Sequence, residues 1–251
     1  MKTISVRKLL EWAFNDELPK AQREGGGTTG AVSDFWSRFA ELGTLVDVSV
    51  NAFGVVPDFS AEGDPHPDAV AVAGAVRGLP AFDVPEGWFP FPEWRGALHP
   101  LARDAVEAWR REQGGPREAA PIVIGAAVLR REPSWSCDEP KASPVMRNGR
   151  PAWFVREYRR DRLTGEEIAV EVDGMNRRTG RPVKGAYRKY ALNPDPRGAI
   201  LDRADYHVWR CALEHLARAL DGRLTAHRLS GDLPPAEPWR LKLSGSPPES
   251  F

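Results

Sequence analysis

Hydrophobic residues recur at helical spacing at the amino end of this 251-residue chain. Apolar side chains from Val6 to Phe14 follow one another at intervals of three and four residues, which predicts an amphipathic helix. Ser5 precedes this run, and its side-chain oxygen can accept a hydrogen bond from a first-turn N–H. We expect Pro19 to end this helix and a second helix to follow over 33–42.

Hydrophobic spacing also predicts helices further along the chain. An Ala- and Val-rich run predicts a helix over 68–79, and the spacing that starts at Leu101 predicts one that ends near Gly114. The apolar run at 122–129 fits either a buried strand or a short helix. The clearest helical pattern lies in the last quarter of the chain, at Tyr206, Trp209, Leu213, Leu216 and Leu220.

Alternation of apolar and polar residues predicts strands in two parts of the chain. One strand is expected over 46–50. Two others, over 153–158 and 167–172, flank a loop that contains Gly165 and predict a β-hairpin. The next turn is expected at 177–181, and an extended segment follows it.

These patterns predict an α+β fold with a largely helical N-terminal part, a small antiparallel β-hairpin unit, a long C-terminal helix and a Pro-rich tail. Prolines at 80–100 remove backbone donors, so no regular structure is expected there. Apolar periodicity disappears over 133–151, which indicates a boundary. The predicted regions are an acidic, mainly helical part (1–132), a linker (133–150), a basic β-hairpin plus helix (151–230) and the tail (231–251).

Composition narrows the protein class. The longest apolar run has eight residues, far fewer than the ~20 that a membrane-spanning helix needs. Two cysteines and no CxxC pair indicate neither a disulfide framework nor a zinc module. We therefore expect a cytoplasmic protein with no cofactor, no bound metal and no membrane partner. Its excess of Arg over Lys is typical of a GC-rich bacterial genome.

The zero net charge is a cancellation between the two parts of the chain. Residues 1–140 hold 14 basic and 21 acidic side chains, whereas 141–251 hold 21 basic and 14 acidic ones. The sharpest contrasts are at 58–93, with seven carboxylates and one Arg, and at 174–190, with six cations and no carboxylate. Such asymmetry indicates an electrostatic partner.

The basic segment is the main candidate site. Arg suits phosphate because its planar guanidinium can donate two hydrogen bonds to two oxygens, and Tyr rings can stack on unpaired bases. The candidate nucleic-acid-binding residues are Arg177, Arg178, Arg181, Lys184, Tyr187, Arg188, Lys189 and Tyr190. The alternative interpretation is a solvated hairpin, or one that the acidic segment neutralises within the same molecule.

Two further functions stay open at this point. A protein-interaction adaptor would use the aromatic, acidic loop at 80–100 or the Pro- and Trp-containing tail. Its candidate partner-binding residues are Trp88, Phe91, Trp94 and Trp239, although we favour docking of Trp239 on its own chain. A metal-dependent hydrolase would need paired carboxylates beside a Lys. Glu171 and Asp173 lie on a predicted strand, but no Lys stands beside them in sequence.

One stripe of metal-binding residue types lies on the last predicted helix. His207, Cys211 and His215 are spaced four residues apart, so the first and third are about 12 Å apart along the axis. A single zinc ion reaches only ~2.0–2.3 Å to each ligand, which excludes all three as ligands of one ion. We interpret the stripe as either a second packing face or an exposed face. The sequence thus favours a non-enzymatic accessory or regulatory protein of undecided oligomeric state that contacts nucleic acid.

Overall fold

The computed structural model describes residues 1–22, 63–160 and 165–240. The helix predicted over 33–42 and the strand predicted over 46–50 lie outside these residues. Within them the fold is α+β, as predicted. The helices are α1 (Val6–Trp12), α2 (Pro67–Arg77), α3 (Leu98–Gln113), α4 (Ala119–Val128) and α5 (Arg197–Leu220), with a π-helix at Ala13–Glu17 and a 3-10 helix at Leu18–Gln22.

The strands are short, and each pairs with one other strand. They are β1 (Lys2–Ile4), β2 (Ala81–Phe82), β3 (Arg117–Glu118), β4 (Lys141–Pro144), β5 (Met146–Arg147), β6 (Arg150–Pro151), β7 (Phe154–Arg160), β8 (Glu167–Asp173), β9 (Tyr190–Asn193) and β10 (His227–Leu229). The pairs β2–β3, β4–β9, β5–β6 and β7–β8 are antiparallel, and β1–β10 is parallel.

The chain divides into two compact units. Unit 1 comprises Met1–Trp88, Gly114–Trp135 and Leu201–Phe251, and unit 2 comprises Phe89–Gln113 and Ser136–Ile200. The division drawn from the sequence stays a prediction. No helix in the described ranges is long and apolar enough to cross a membrane.

Unit 1 is built around the apolar stripe of α5. The five residues predicted for this stripe are all buried, and they share one hydrophobic cluster with residues of α1, α2 and α4. The ambiguous run at 122–129 lies mostly in α4, where Val123 and Ile124 are buried, so it is helical. Burial of apolar surface from several helices against α5 stabilises this unit through the hydrophobic effect.

The first helix begins as predicted and ends later. Ser5 caps α1, and its Oγ accepts a hydrogen bond from the Lys8 N–H at 3.3 Å. Pro19 does not end the helical stretch, which continues through the π-helix and then the 3-10 helix to Gln22. Pro19 is the second residue of that 3-10 helix, and a missing N–H costs little in a first turn.

Unit 2 contains the predicted β-hairpin. Strands β7 and β8 pair over seven residues each, with Phe154 opposite Asp173 and Arg160 opposite Glu167. Beyond its first residues β7 is exposed on both sides, so the hairpin projects as a two-stranded ribbon. The segment that carries the candidate site starts at the base of this ribbon, where β8 ends. This segment leads into β9, which pairs with β4.

Candidate nucleic-acid interface

At the base of the ribbon, the backbone of the basic segment (174–190) lies close to the backbone at the start of β7. Phe154 and Tyr187 exchange two backbone hydrogen bonds, of 2.9 and 2.8 Å, and the Gly174 N–H donates to the Trp153 carbonyl at 2.9 Å. A Cβ on Gly174 would lie 2.8 Å from the Phe154 carbonyl carbon. Only glycine therefore fits here, and the bonds fix where the following loop leaves the ribbon.

The first turn of the segment is ordered by its own backbone and by one Asn side chain. Asn176 Oδ1 accepts from the N–H of Arg178 at 2.9 Å and of Thr179 at 3.2 Å. The Gly180 N–H donates to the Asn176 carbonyl at 2.8 Å, and the Asn176 N–H donates to the Arg181 carbonyl at 2.9 Å. Gly180 has a φ of +64°, which glycine adopts without strain. The turn predicted at 177–181 is confirmed.

A second turn follows directly. The Ala186 N–H donates to the Val183 carbonyl at 3.0 Å, and Gly185 has a φ of +83°. A positive φ at the third position is the property of a type II turn. Lys184 therefore occupies the second position of this turn, and it is exposed.

The six cations of the segment fall into two groups. Lys189 forms an ion pair with Glu171, and its Nζ lies 5.4 Å from the centre of the Phe154 ring. The Arg188 guanidinium lies over the Trp153 ring at 4.7 Å. Arg188 is exposed as well and forms no ion pair in the described chain, so this ring contact is what distinguishes it. The other four are exposed, and they form neither an ion pair nor a ring contact with any residue that the structure describes. We call these four the turn cations: Arg177, Arg178, Arg181 and Lys184.

The two candidate tyrosines also differ. Tyr187 donates its hydroxyl to Glu171 at 2.5 Å, and its ring centre lies 6.4 Å from that of Phe154. Hydrogen bonds from Lys189 and Tyr187 lower the pKa of Glu171, and the bond to Glu171 raises the pKa of Tyr187. Tyr190 is 50% exposed. It makes no side-chain hydrogen bond with the described part of the chain.

The two carboxylates of β8, Glu171 and Asp173, each pair with a cation from another segment of the chain. Glu171 binds Lys189, which the fold brings from another segment. Asp173 lies 3.3 Å from an Arg147 guanidinium nitrogen and accepts from the Met175 N–H at 3.0 Å. Among the described residues, no three metal-binding side chains gather at one point.

The four partner-binding candidates are buried within their own units. Trp88 and Trp239 are buried in unit 1, and Phe91 and Trp94 stack in unit 2 with ring centres 3.9 Å apart. The Trp239 ring lies 5.9 Å from that of Tyr206, so the described part of the tail (231–240) docks on its own chain. The adaptor role stays a prediction, and a partner would have to contact neighbouring exposed residues instead of these rings.

The His and Cys stripe on α5 is a packing face. His207 Nε2 lies 3.6 Å from Cys211 Sγ, and the rings of His207 and Trp88 have centres 6.4 Å apart. His215 packs edge-on against Phe82 at 6.1 Å. Burial lowers the pKa of His207 and raises the pKa of the Cys211 thiol. Burial therefore favours the uncharged form of both groups.

Within the acidic segment at 58–93, Asp58 and Glu62 lie outside the described residues. Of the remaining carboxylates, Asp64, Asp83 and Glu86 are exposed, whereas Asp68 is fully buried. Asp68 is therefore not part of a solvated surface loop.

Sequence reasoning missed the residues that shape the site. Asn side chains accept hydrogen bonds from backbone N–H groups two and three residues ahead, so the spacing of Asn176 and Gly180 was an available signal. No local signal marks Gly174 or the pairing of Glu171 with Lys189. Comparison with known proteins adds no further guide: no family model, no curated protein and no solved structure matches this chain.

Proposed function

We propose that this chain is a non-enzymatic accessory or regulatory protein of the bacterial cytoplasm that binds nucleic acid through the turn cations. One observation carries the proposal. Two consecutive hydrogen-bonded turns hold four exposed cations, and none of the four has a carboxylate partner in the described chain. Neighbouring cations of the same segment are already held by Glu171 and Trp153.

The backbone order of the turns favours binding of a polyanion. Fixing a loop on association costs free energy, and these turns are already fixed by hydrogen bonds at both ends. Within the described chain, these four cations also have no carboxylate partner that must be displaced before they contact phosphate. Three of the four are Arg, which can donate two parallel hydrogen bonds to a phosphate.

The proposed function predicts how the binding constant K depends on salt concentration. Each neutralised phosphate releases condensed counterions, so log K falls linearly with log salt. Four contacts predict a slope of about −4 on duplex DNA and about −3 on a single strand. A slope near zero would mean that the four cations do not meet phosphates.

The test compares two variants that each lose four positive charges. The first replaces Arg177, Arg178, Arg181 and Lys184 with Ala. The control replaces four exposed arginines that also lack an ion pair with described residues: Arg95, Arg103, Arg223 and Arg228. Both variants change the net charge equally, so a difference between them reports position and not total charge.

Binding of labelled 20-nucleotide oligonucleotides is measured by fluorescence anisotropy from low to moderate salt. We expect the turn-cation variant to lose about 100-fold in affinity at low salt and most of its salt slope. The control variant should bind within a few-fold of the original chain. Absence of binding at low salt, or equal binding by the turn-cation variant, would refute the proposed function.

A further inference from the structure

We propose that the ligand of the turn cations is a single-stranded nucleic acid, with one unpaired base stacked on Tyr190. This inference rests on the proposed function and specifies its ligand. The supporting observation is the contrast between the two tyrosines of the segment. Tyr187 is held by Glu171 and Phe154, whereas Tyr190 is half exposed and its hydroxyl has no partner in the described chain.

The direction of the Tyr190 side chain follows from its neighbours. Tyr187 and Lys189 both bind Glu171, so both point towards the ribbon. Successive residues of an extended chain point to opposite sides. Arg188 and Tyr190 therefore share the other side, where the Arg188 guanidinium already lies over Trp153.

The side of the chain that carries Arg188 and Tyr190 can act as a stacking surface for bases. An exposed aromatic ring next to a guanidinium plane presents two flat faces, and flat faces of this kind hold single-stranded bases with little regard to sequence. A base in a duplex has both of its faces covered by neighbouring base pairs. Tyr190 can therefore contribute to binding only when the base is unpaired.

The stacking surface lies within reach of the turn cations. Tyr190 follows Lys184 by six residues, so the backbone distance between them is at most about 20 Å. A single strand of a few nucleotides spans this distance, which is within the site size of ~4–16 nucleotides known for single-strand binding modules. One short strand can thus contact the turn cations through its phosphates and Tyr190 through a base.

The ribbon supplies a matched control for Tyr190. Tyr158 belongs to the same unit and is 64% exposed, more than Tyr190. It lies four residues along β7 from Phe154, so it is about 13 Å up the ribbon from the point where the basic segment begins. Loss of its ring should not affect binding.

The experiment measures the affinities of the full chain for three probes of one sequence: single-stranded DNA, single-stranded RNA and duplex DNA. We expect both single strands to bind at least about tenfold more tightly than the duplex at equal salt. Tyr190→Ala should lower single-strand affinity about tenfold and leave duplex affinity unchanged, whereas Tyr190→Phe and Tyr158→Ala should bind like the original chain. The two single-stranded arms show whether the sugar matters.

The possible failures are distinguishable. Equal affinity for single strand and duplex, or no effect of Tyr190→Ala on the single strand, overturns this inference while the salt-dependent binding of the proposed function stands. Loss of affinity in Tyr190→Phe also overturns it, because phenylalanine keeps the stacking face. Absence of binding to all three probes overturns both the inference and the proposed function.

Discussion

The carboxylate of Asp68 accepts a hydrogen bond from Nδ1 of His227 at 2.9 Å, across 159 residues of sequence. The same carboxylate accepts from the N–H and hydroxyl of Thr225, both at 2.7 Å, and from the N–H groups of Ala226 and His227. Five donors thus converge on one buried side chain at the start of α2. They hold the chain that enters β10, which pairs with β1 in unit 1.

Replacement of this carboxylate should destabilise unit 1. In Asp68→Asn one acceptor oxygen becomes an NH₂ group that faces the Ala226 and His227 N–H groups. Buried donors without an acceptor cost about 1–3 kcal/mol, so we expect the free energy of unfolding to fall by about 2–3 kcal/mol. Urea denaturation measures this value. Asp64→Asn, at an exposed carboxylate nearby, is the control and should change it by less than about 0.5 kcal/mol.

The Asp68 carboxylate also predicts acid sensitivity. Burial alone would raise its pKa, but hydrogen bonds from Thr225, His227 and Ala226 outweigh burial and hold the pKa well below its usual range. The unfolded chain, with an Asp pKa of about 3.9, therefore binds more protons than the folded one in acid. The stability that Asp68 provides is complete above that value and is lost as pH falls towards the folded pKa.

Urea midpoints measured from pH 7 down to about pH 2.5 test this sign. The original chain should lose stability more steeply below about pH 4.5 than Asp68→Asn, which has no carboxyl group to protonate at this position. Parallel curves for the two proteins over that range would show that Asp68 does not cause the acid sensitivity.

Local patterns predicted those parts of the structure that local interactions determine. The α5 stripe, the Ser5 cap and the β7–β8 hairpin each depend on residues a few positions apart, and each is confirmed. The turn at 177–181 belongs to the same class, because Gly180 supplies the positive φ that the turn needs.

Long-range pairing explains what the sequence could not show. The sequence did not indicate that Asp68 is buried and hydrogen-bonded, because its partners lie more than 150 residues away. Six cations counted equally at 174–190, yet the fold engages Lys189 with Glu171 and Arg188 with Trp153. The sequence therefore indicated the basic segment as a candidate site, but it did not distinguish the four cations that have no such partner among the described residues.

Docking of residues 231–240 on α5 predicts that removal of the Tyr206 hydroxyl lowers the free energy of unfolding and that removal of the Tyr190 hydroxyl does not. Tyr206 is buried and donates to the Pro235 carbonyl at 2.9 Å, and burial raises its pKa to about 12. Tyr206→Phe should therefore cost about 1 kcal/mol of unfolding free energy, and Trp239→Ala, which empties a buried site, about 3–5 kcal/mol. Tyr190→Phe removes an exposed hydroxyl and should cost nothing measurable. Equal unfolding free energies for Tyr206→Phe and Tyr190→Phe would contradict the docking of the tail through this bond.

Gly174 connects the fold of unit 2 to the candidate site. A methyl group at this position would lie 2.8 Å from the Phe154 carbonyl carbon and 3.0 Å from the Phe154 nitrogen and the Ala186 Cβ. Two of these three contacts are with backbone, which cannot move aside as a flexible side chain would. Gly174→Ala should therefore cost about 1–3 kcal/mol and separate the basic segment from the ribbon.

Amide hydrogen exchange detects this separation directly. We expect faster exchange in Gly174→Ala at the N–H groups of Phe154 and Tyr187, which bond to each other's carbonyls. Nucleic-acid affinity should fall with it, since the turn cations lose their fixed position. The control is Gly198→Ala in the first turn of α5, where a Cβ meets nothing within 4 Å. There Ala should stabilise the helix by about 0.5–1 kcal/mol. Unchanged exchange and affinity in Gly174→Ala would show that the close approach does not position the turn cations.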